Sequence, residues 1–475
     1  MAPTVPPTPD TPQDFDALQA RGLLPDHASD LGSVNPTTRY FLEAHVAFDP
    51  VSQTAQIYGL ARIRLTNHET SDWSDLALML WPNDPQYRSS MVAGPALVDG
   101  QTVIPTYELD HLALRLDLPN RVQPGETVDV SVPFQIAARG PIGGIRPYRF
   151  GITEGVLLAP TFYPLVPRRV DGEWEVERAP DNGDTTNSDV SLYWVRLTVP
   201  AGLQLVASGV EVGREEGPST QTVTYATGPM RDFAFALGDL SMQSRRAGPV
   251  TVRAWLLPGH IDEMDAVLGA AAFQVALLSE KVGPYPYPEL DVVDAPGAFG
   301  GIEYPGLVFI GTIGGADEIT PTVHEVGHQW FYGLIGNDQL REPWLDEAAA
   351  TYTEVLYFEA RDGPGRGAGM LSEFRSWLQF HPNPGTPIGL PVAAYPSLSD
   401  YALFVYIKGA LFFDALRSEI GDEAFFTFLH TYDQRFAYGL ADTSGFRDAA
   451  EDACACDLGT LFDRWVIRGG VVPGP

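Results

Sequence analysis

The sequence predicts a multidomain β + α/β protein in which an N-terminal all-β domain precedes a mostly helical domain with a small sheet. Between about residues 40 and 245, hydrophobic residues recur with a period of two, and no helical period of useful length appears. After residue 248 the pattern changes to short strands and long helical segments. A chain of 475 residues is long enough to give each domain a sizeable core.

The composition is that of a globular protein with an acidic surface. Hydrophobic residues make up 44% of the chain, charged residues make up 19%, and the formal net charge is −31. This charge argues against nucleic acid and anionic membranes as partners and favours cationic ligands, including the amino end of a peptide. Solubility alone also accounts for it. No run of 18 apolar residues is present, so we expect no membrane span.

We expect residues 1–35 to be a disordered tail with one weak helix near residues 14–21. The Pro/Thr-rich start resembles the spacer that follows a removed signal or lipid anchor, which would place the protein outside the cytoplasm. A plain disordered tail in a cytoplasmic protein has the same composition, so both compartments stay open. We assign the N-terminal β domain to residues 36–247 and the second domain to residues 248–475.

The first strands of the β domain form a hairpin. Leu42, Ala44, Val46 and Phe48 alternate along the first strand and share one face, and a turn at residues 49–50 leads into the second strand. Further alternating segments, separated by Gly, Pro and Asp, predict a domain of many strands. The polar segment at residues 168–187 predicts a long loop.

The second domain mixes short strands with helices. A strand at residues 250–255 and a helix at residues 261–282 are followed by short strands at residues 290–293 and 307–310. Residues 363–398 are rich in Gly and Pro and are expected to be irregular. Ser399 is expected to cap a strong helix, and the remaining helices are predicted at residues 400–416, 422–432, 445–454 and 458–466.

The segment at residues 320–332 predicts a metal-binding helix. Thr320 is a good N-cap and Pro321 fits the first helical position, and the helix is expected to continue to the glycines near residue 333. His324 and His328 are four residues apart and therefore lie on one helix face, where both imidazoles can reach one metal ion. Glu325 remains free to act on a bound water as a general base.

Glu347 supplies the third ligand that this pattern requires. It lies 19 positions after His328, on a second helix that Pro343 opens and Gly363 ends. Two His and one Glu leave the fourth position of zinc for water, which is the arrangement of a catalytic site rather than a structural one. We therefore predict one zinc ion per chain, bound by His324, His328 and Glu347.

Cys454 and Cys456 are the only cysteines. They are too few and too close together for a disulfide framework. Their spacing also falls short of the C-x-x-C metal pattern, so we expect a structural or incidental role.

Together these segments resemble the aminopeptidase N-type zinc aminopeptidases, which are gluzincins with a saddle-like β domain before a thermolysin-like catalytic domain. The resemblance covers most of the chain beyond residue 38. It is carried by residues 300–306, 324–331, 344–354, 401–409 and 457–465. It implies a short, two-domain member without the family's helical C-terminal domain, whose active site is more open or is closed by self-association.

The resemblance also implies which residues contact the substrate. Glu303 stands in the family's exopeptidase motif, which implies that it binds the free α-amino group. The backbone at Gly300 and Gly301 would pair with the extended peptide. Tyr406 stands at the position of the catalytic tyrosine and would donate to the oxyanion, with Tyr401 close by. Without the resemblance, the residues themselves favour a turn residue for Glu303 and a core aromatic for Tyr406.

Some positions depart from the family pattern or extend it. Glu354 returns to the helix face of Glu347 and is expected to support a zinc-bound imidazole. Tyr304 replaces the usual Asn, and Ala348 replaces the usual Gly. A further amine-binding side chain that the family takes from its β domain has no counterpart at residues 159–164, where we expect Tyr163 to line the specificity pocket instead.

The function implied is zinc-dependent hydrolysis of the first peptide bond of peptides that have a free N-terminus. Two alternatives remain open. A thermolysin-like endopeptidase would share the zinc site but would cleave blocked peptides. A non-catalytic peptide-binding module would keep the fold without the chemistry.

Overall fold

The computed structural model describes residue 12 and residues 14–34, 38–141, 148–184 and 187–471. It confirms a β-rich N-terminal domain followed by a mostly helical one. The Pro/Thr-rich start that we expected to be disordered, residues 1–11, lies outside the described residues. Within the described ranges, no helix has both the length and the apolar character that crossing a membrane requires.

Residues 14–34 correct part of the predicted tail. They form two short helices, α1 (Phe15–Ala20) and α2 (Asp30–Ser33). Phe15 is buried, and its ring lies 5.0 Å from that of Phe41 on the β domain. Helix α1 confirms the weak helix that was predicted near residues 14–21, and its contact with the sheet is enough to order so short a helix.

The β domain is a set of sheets in which antiparallel pairs predominate. The large sheet has the order β16-β17-β14-β1-β2-β9-β5-β6, and β4 also pairs with β9. The predicted hairpin is confirmed, and its apolar face is buried. The strands are β1 (Thr38–Asp49), β2 (Thr54–Thr66), β3 (Trp73–Met79), β4 (Ser89–Ala93), β5 (Ala96–Val98), β6 (Gln101–Val103), β7 (Thr106–Glu108), β8 (Ala113–Val122), β9 (Thr127–Arg139), β10 (Gly151–Thr153), β11 (Val156–Pro160), β12 (Arg169–Val170), β13 (Glu173–Trp174), β14 (Ser191–Pro200), β15 (Gln204–Ala207), β16 (Val210–Glu216), β17 (Thr220–Met230) and β18 (Ala234–Gly238).

The second domain begins with a five-stranded sheet of order β19-β20-β21-β23-β22. Strand β22, which carries Glu303, is therefore an edge strand with one unpaired side of backbone among the described residues. The strands are β19 (Ser241–Ala247), β20 (Val250–Leu256), β21 (Glu289–Asp294), β22 (Gly301–Tyr304) and β23 (Leu307–Ile310).

Helices form the rest of this domain. Two segments have π-helical hydrogen bonding, Ala402–Lys408 and Asp463–Ile467. The α-helices are α3 (Met264–Lys281), α4 (Ile319–Gly327), α5 (Trp344–Asp362), α6 (Pro364–Gln379), α7 (Leu398–Tyr401), α8 (Gly409–Ile420), α9 (Asp422–Phe436), α10 (Thr443–Cys454) and α11 (Gly459–Phe462).

Several predicted helix ends are wrong. Thr320 lies inside α4 and does not cap it; the carboxylate of Asp317 instead accepts hydrogen bonds from the amides of residues 319 and 320 at 3.1 Å. Helix α4 also ends at Gly327 instead of continuing to residue 333. Ser397, not Ser399, caps α7 through the amide of Asp400 at 3.1 Å.

Two other expectations fail for local reasons. Residues 364–379 were predicted to be irregular but form α6, because Pro364 opens the helix at its first position, where proline is tolerated.

Cys454 and Cys456 are joined by a disulfide, with Cα atoms 5.2 Å apart. Ala455 between them has a left-handed φ of 53°, which turns the chain enough to bring the two sulfurs together.

Helix α8 packs closely on α5, which carries Glu347. A methyl group at Gly409 would lie 2.3 Å from Cβ of Ala348, so only glycine allows this approach. The contact fixes the distance between α5 and the π-helical segment that precedes α8.

We expect Gly409→Ala to lower the free energy of unfolding by about 1–3 kcal/mol, because the added methyl group overpacks this contact. Thermal or urea unfolding measures the change. Gly369→Ala is the matched control: Gly369 lies inside α6 with no atom near its missing Cβ. This control should be neutral or more stable by up to about 1 kcal/mol. Equal effects of the two substitutions would contradict the close-packing argument.

Candidate active site

Three donor atoms converge between α4 and α5. The Nε2 atoms of His324 and His328 lie 3.1 Å apart, and each lies 3.2 Å from Oε2 of Glu347. For zinc–ligand bonds of about 2.0–2.1 Å, two donors of a tetrahedron lie roughly 3.3 Å apart. The three donors therefore fit a single zinc ion and leave its fourth position to a water or a substrate.

Hydrogen bonds hold both imidazoles in the orientation that metal binding requires. Nδ1 of His324 lies 2.8 Å from Oε1 of Glu354, and Nδ1 of His328 lies 2.9 Å from the carbonyl oxygen of Phe331. Since both partners are acceptors, each Nδ1 carries a hydrogen, and each Nε2 is left to bind a metal ion at the point towards which Oε2 of Glu347 is also directed. The sequence predicted the contact of Glu354, but nothing in it indicated the role of the Phe331 carbonyl.

The charges around this group favour a cation. Burial by itself would lower the pKa of His324, but hydrogen bonds to Glu347 and Glu354 outweigh it and raise this pKa to about 10. Burial would raise the pKa of Glu347, but His328 and His324 hold it well below its usual range. The carboxylates that stabilise a proton on an imidazole equally stabilise a divalent metal ion between the same groups.

Glu325 lies beside the donor group with part of its carboxylate unused. Burial raises the pKa of Glu325 to about 7, against the effect of the two imidazoles. Its Oε2 has no hydrogen-bond partner among the described residues, although it is buried. A methyl group at Gly301 would lie 2.3 Å from Oε1 of Glu325, so the glycine makes room for this carboxylate. The sequence had assigned Gly301 only to pairing with the substrate.

A π-helical turn brings two tyrosines to the site. Its hydrogen bonds join residues five apart, so Tyr401 and Tyr406 lie on the same side, with ring centroids 5.7 Å apart. The Tyr406 hydroxyl donates to Oε1 of Glu347, and its ring stacks on His324. The Tyr401 hydroxyl is buried without a partner among the described residues. Burial raises the pKa of both hydroxyls, so both are donors at neutral pH.

Glu303 lies on the edge strand β22, next to the candidate metal ligands. One of its carboxylate oxygens lies within 4.8 Å of donor atoms of Glu325 and His328. This second trio does not form an independent metal site, because Nδ1 of His328 is bonded to Phe331 and both trios would need the same Nε2. Burial raises the pKa of Glu303 well above its usual range, and the charge of Asp184 raises it further.

The β domain contributes Asp184, which the sequence analysis missed. It lies in the segment predicted to be a polar loop, and it forms a buried ion pair with Arg149. Burial raises the pKa of Asp184, and the nearby charge of Glu347 acts in the same direction. Gly183 lies against Tyr401, whose hydroxyl would be 3.0 Å from a methyl group at that position. Only the length and polarity of the loop could have indicated this contact.

The structure places Tyr163 elsewhere than predicted. It is fully buried in the aromatic core of the β domain, with ring centroids 5.2 Å from Tyr40 and 5.7 Å from Tyr193. Its hydroxyl accepts a hydrogen bond from the amide of Phe233 at 3.2 Å. It therefore packs inside the β domain and does not line a specificity pocket.

Comparison with known proteins finds similarity to one family of peptidases. Residues 277–465 match the peptidase family M1 domain. Aminopeptidase M1-B of Oryza sativa subsp. japonica is 27% identical over 309 residues, which are 58% of this chain and 34% of that protein. Aminopeptidase B of Homo sapiens is 26% identical over 415 residues, or 78% of this chain and 63% of that protein. The chain thus spans about a third of the first relative and less than two thirds of the second.

Solved structures share the whole architecture. The M1 zinc metallopeptidase from Deinococcus radiodurans superposes with a TM-score of 0.70 at 22% identity, covering 92% of this chain and 96% of that one. A mutant M1 zinc metallopeptidase from the same organism, bound to a Tyr-Ser-Ala substrate, gives a TM-score of 0.71 at 21% identity, with the same coverage. At this level of identity the likeness establishes the fold.

We expect the protein to bind one zinc ion per chain at the His-His-Glu group. Glu347→Gln replaces an anionic donor by a neutral amide. It should weaken zinc binding by more than the roughly 10- to 100-fold that loss of an outer hydrogen-bond partner costs. Zinc content at buffered free-zinc concentrations measures the change.

The control for this experiment is Glu359→Gln on the same helix, since Glu359 pairs with Arg417 at 2.8 Å and makes no contact with the trio. This variant should keep the affinity of the wild type. A Glu347→Gln variant that also kept it would remove Glu347 from the donor set.

Proposed function

Since residues 277–465 carry a peptidase family M1 domain, we propose that the protein is a zinc-dependent aminopeptidase that removes the first residue of peptides with a free α-amino group. The observation that carries the proposal is the position of Glu303, within 4.8 Å of donor atoms of Glu325 and His328. An extended chain advances at most about 3.3–3.6 Å per residue. An ammonium group held by Glu303 therefore leaves room for one residue before the scissile carbonyl.

The edge strand supports a defined substrate direction. Among the described strands, β22 pairs only with β23, so its other side offers backbone donors and acceptors to an extended peptide. Such strand addition fixes a peptide through main-chain hydrogen bonds whatever its sequence. The peptide would lie along β22 with its amino end at Glu303.

The zinc ion would be held by His324, His328 and Glu347. When bound there, it supplies a Lewis acid that polarises the scissile carbonyl and lowers the pKa of a water. Glu354 and the Phe331 carbonyl keep the two imidazoles in position through their Nδ1 atoms.

We assign proton transfer to Glu325. A carboxylate with a pKa of about 7 accepts a proton readily near neutral pH and can return it to the leaving amine. Its buried Oε2, which lacks a partner among the described residues, is the atom that we assign to this exchange. Tyr406 then donates to the oxyanion that develops at the scissile carbonyl, and Tyr401 offers a second hydroxyl beside it.

Two carboxylates could accept hydrogen bonds from the substrate ammonium: Glu303, and Asp184 beside its partner Arg149. An ammonium group has three donors and needs more than one acceptor when it is buried. Burial raises the pKa of Glu303, and the charge of Asp184 raises it further, so a cation between the two carboxylates would be stabilised by both. We propose that Asp184 is the amine-binding side chain of the β domain, for which the sequence analysis found no counterpart at residues 159–164.

We expect Glu325→Gln to keep zinc and the fold but to lower kcat by about 10²–10⁴-fold, since the amide cannot accept the proton. Steady-state hydrolysis of an amino-acid anilide, with zinc content and a melting curve measured on the same sample, checks this. Glu359→Gln again serves as the control and should be fully active. A Glu325→Gln variant with unchanged kcat would rule out the general-base assignment.

We expect cleavage of anilides and short peptides only when their amino group is free, and complete loss of activity after zinc is removed by a chelator. Glu303→Gln should lower kcat/KM for free-amine substrates roughly 10- to 100-fold, as the loss of a charged hydrogen-bond partner predicts. Zinc affinity should not change. Cleavage of acetylated substrates at a similar rate would favour the endopeptidase alternative. Zinc binding without any hydrolysis would favour the binding module.

A further inference from the structure

Tyr332 has a backbone conformation that its side chain does not favour. Its φ is 121°, a region that residues with a Cβ rarely adopt, and the residue is buried. It lies four positions after His328, at the end of the segment that carries the two candidate histidine ligands. Such outliers persist only where the surroundings hold them, and they cluster at functional sites.

Two neighbouring residues of the β domain hold Tyr332 at both ends. Nε of Arg231 donates to the carbonyl oxygen of Tyr332 at 2.7 Å. The hydroxyl of Tyr332 donates to Oδ2 of Asp232. Both Arg231 and Asp232 belong to the short turn between β17 and β18, and both side chains are buried. Backbone and side chain of Tyr332 are therefore fixed to the same point of the other domain.

The turn that carries this pair is itself fixed within the β domain. The carbonyl oxygen of Arg231 accepts from Oγ of Ser188 at 2.7 Å and from the hydroxyl of Tyr193 at 3.0 Å. The amide of Phe233, the residue after Asp232, donates to the hydroxyl of Tyr163 at 3.2 Å. Tyr163, which the sequence analysis placed in a pocket, thus supports the turn from the aromatic core.

Arg231 also reaches further into the helical domain. Its guanidinium donates to the carbonyl oxygens of Leu334, at 3.4 Å, and of Gly439. A methyl group at Gly336 would lie 2.1 Å from Cζ of Arg231, so glycine is needed for the guanidinium to pass. The position of Arg231 relative to the segment after His328 is therefore closely defined.

The conformation of Tyr332 determines where the Phe331 carbonyl points. The peptide unit that contains this carbonyl is joined to Tyr332 through the bond whose rotation is φ. With the carbonyl and the hydroxyl of Tyr332 both anchored, relaxing φ to a negative value would turn the Phe331 oxygen away. That oxygen lies 2.9 Å from Nδ1 of His328. Among the described residues, it is the only hydrogen-bond partner of this nitrogen. The hydrogen bond that orients the His328 imidazole therefore depends on the φ angle of Tyr332.

We propose that Arg231 and Asp232 are positioning residues for His328, which they aim at the metal by holding Tyr332 in its strained conformation. The proposal rests on the zinc site of the proposed function and adds to it a dependence on the β domain. Loss of the strained conformation would leave His328 without the acceptor that fixes its tautomer and ring angle. Loss of such a partner typically weakens metal binding by about 10- to 100-fold.

The test compares Tyr332→Ala with Tyr332→Gly. Both variants lose the ring and the hydroxyl, but only glycine adopts a φ near 121° without strain. Alanine should relax and turn the Phe331 carbonyl, so its zinc dissociation constant should be at least about tenfold higher than that of the glycine variant. Competition with a fluorescent zinc chelator measures both constants on the metal-free full chain. Equal constants would overturn the proposal, because a packing role predicts the same loss for both.

A second pair of variants leaves the ring in place. Tyr332→Phe removes only the hydroxyl, and Asp232→Ala removes the carboxylate that accepts from it, so both variants should weaken zinc binding. Tyr225→Phe is the control, since it removes a buried tyrosine hydroxyl that donates at 3.2 Å to Leu205 within the β domain. If Tyr332→Phe binds zinc as tightly as this control, the proposal fails.

The outcome for the wild type separates this proposal from the proposed function. A wild-type chain that takes up no zinc would overturn both. A wild-type chain that binds zinc and cleaves free-amine substrates, with Tyr332→Ala and Tyr332→Gly equal in zinc affinity, would overturn the positioning role alone.

Discussion

The burial of six carboxylates around two imidazoles is the constraint on which the rest of the structure depends. An unpaired buried charge costs several kcal/mol, so each carboxylate must find a donor, a cation or a proton. Helix α4 and its C-terminal end supply the imidazoles, Arg149 supplies a guanidinium, and Gln339 supplies an amide hydrogen to Asp346 at 3.0 Å. What remains is a surplus of negative charge that a zinc ion and a substrate ammonium would neutralise. The carboxylates are those of Asp184, Glu303, Glu325, Asp346, Glu347 and Glu354.

The two domains share this constraint because neither could satisfy it alone. The β domain provides Asp184 to the cleft and the Arg231–Asp232 pair to Tyr332, while the helical domain provides the metal donors. A backbone strain of about 1–3 kcal/mol at Tyr332 is offset by the hydrogen bonds that anchor it, each worth roughly 1 kcal/mol and more where the donor is charged. The strain therefore persists only while the domains are docked.

How much the sequence could predict follows from the range of each interaction. His324, His328, Glu347 and Glu354 were predicted because helical spacing fixes which residues share a face. Asp184 and the Arg231–Asp232 pair depend on where a distant loop and turn are docked, and no local pattern encodes that. The sequence did not predict the π-helical turn beside Tyr406 or the hydrogen bonds that Asp317 accepts at the start of α4. The reason here is the opposite one, because these are local choices that several nearby residues fit equally well.

Gln329, which follows the candidate zinc ligand His328, fixes the distance between the metal donors and Glu303, the proposed amine anchor. Gln329 directly follows His328, and its side chain joins both ends of the turn after the anchor strand. Its Oε1 accepts from the amide of Gly306 at 2.8 Å, and its Nε2 donates to the carbonyl of Tyr304 at 3.2 Å. Tyr304 is the neighbour of Glu303, so a buried amide of fixed length connects the proposed anchor to the proposed ligand. Under the proposed function, this connection limits the product to a single residue, because a longer product would need Glu303 about 3.3–3.6 Å further from the donors.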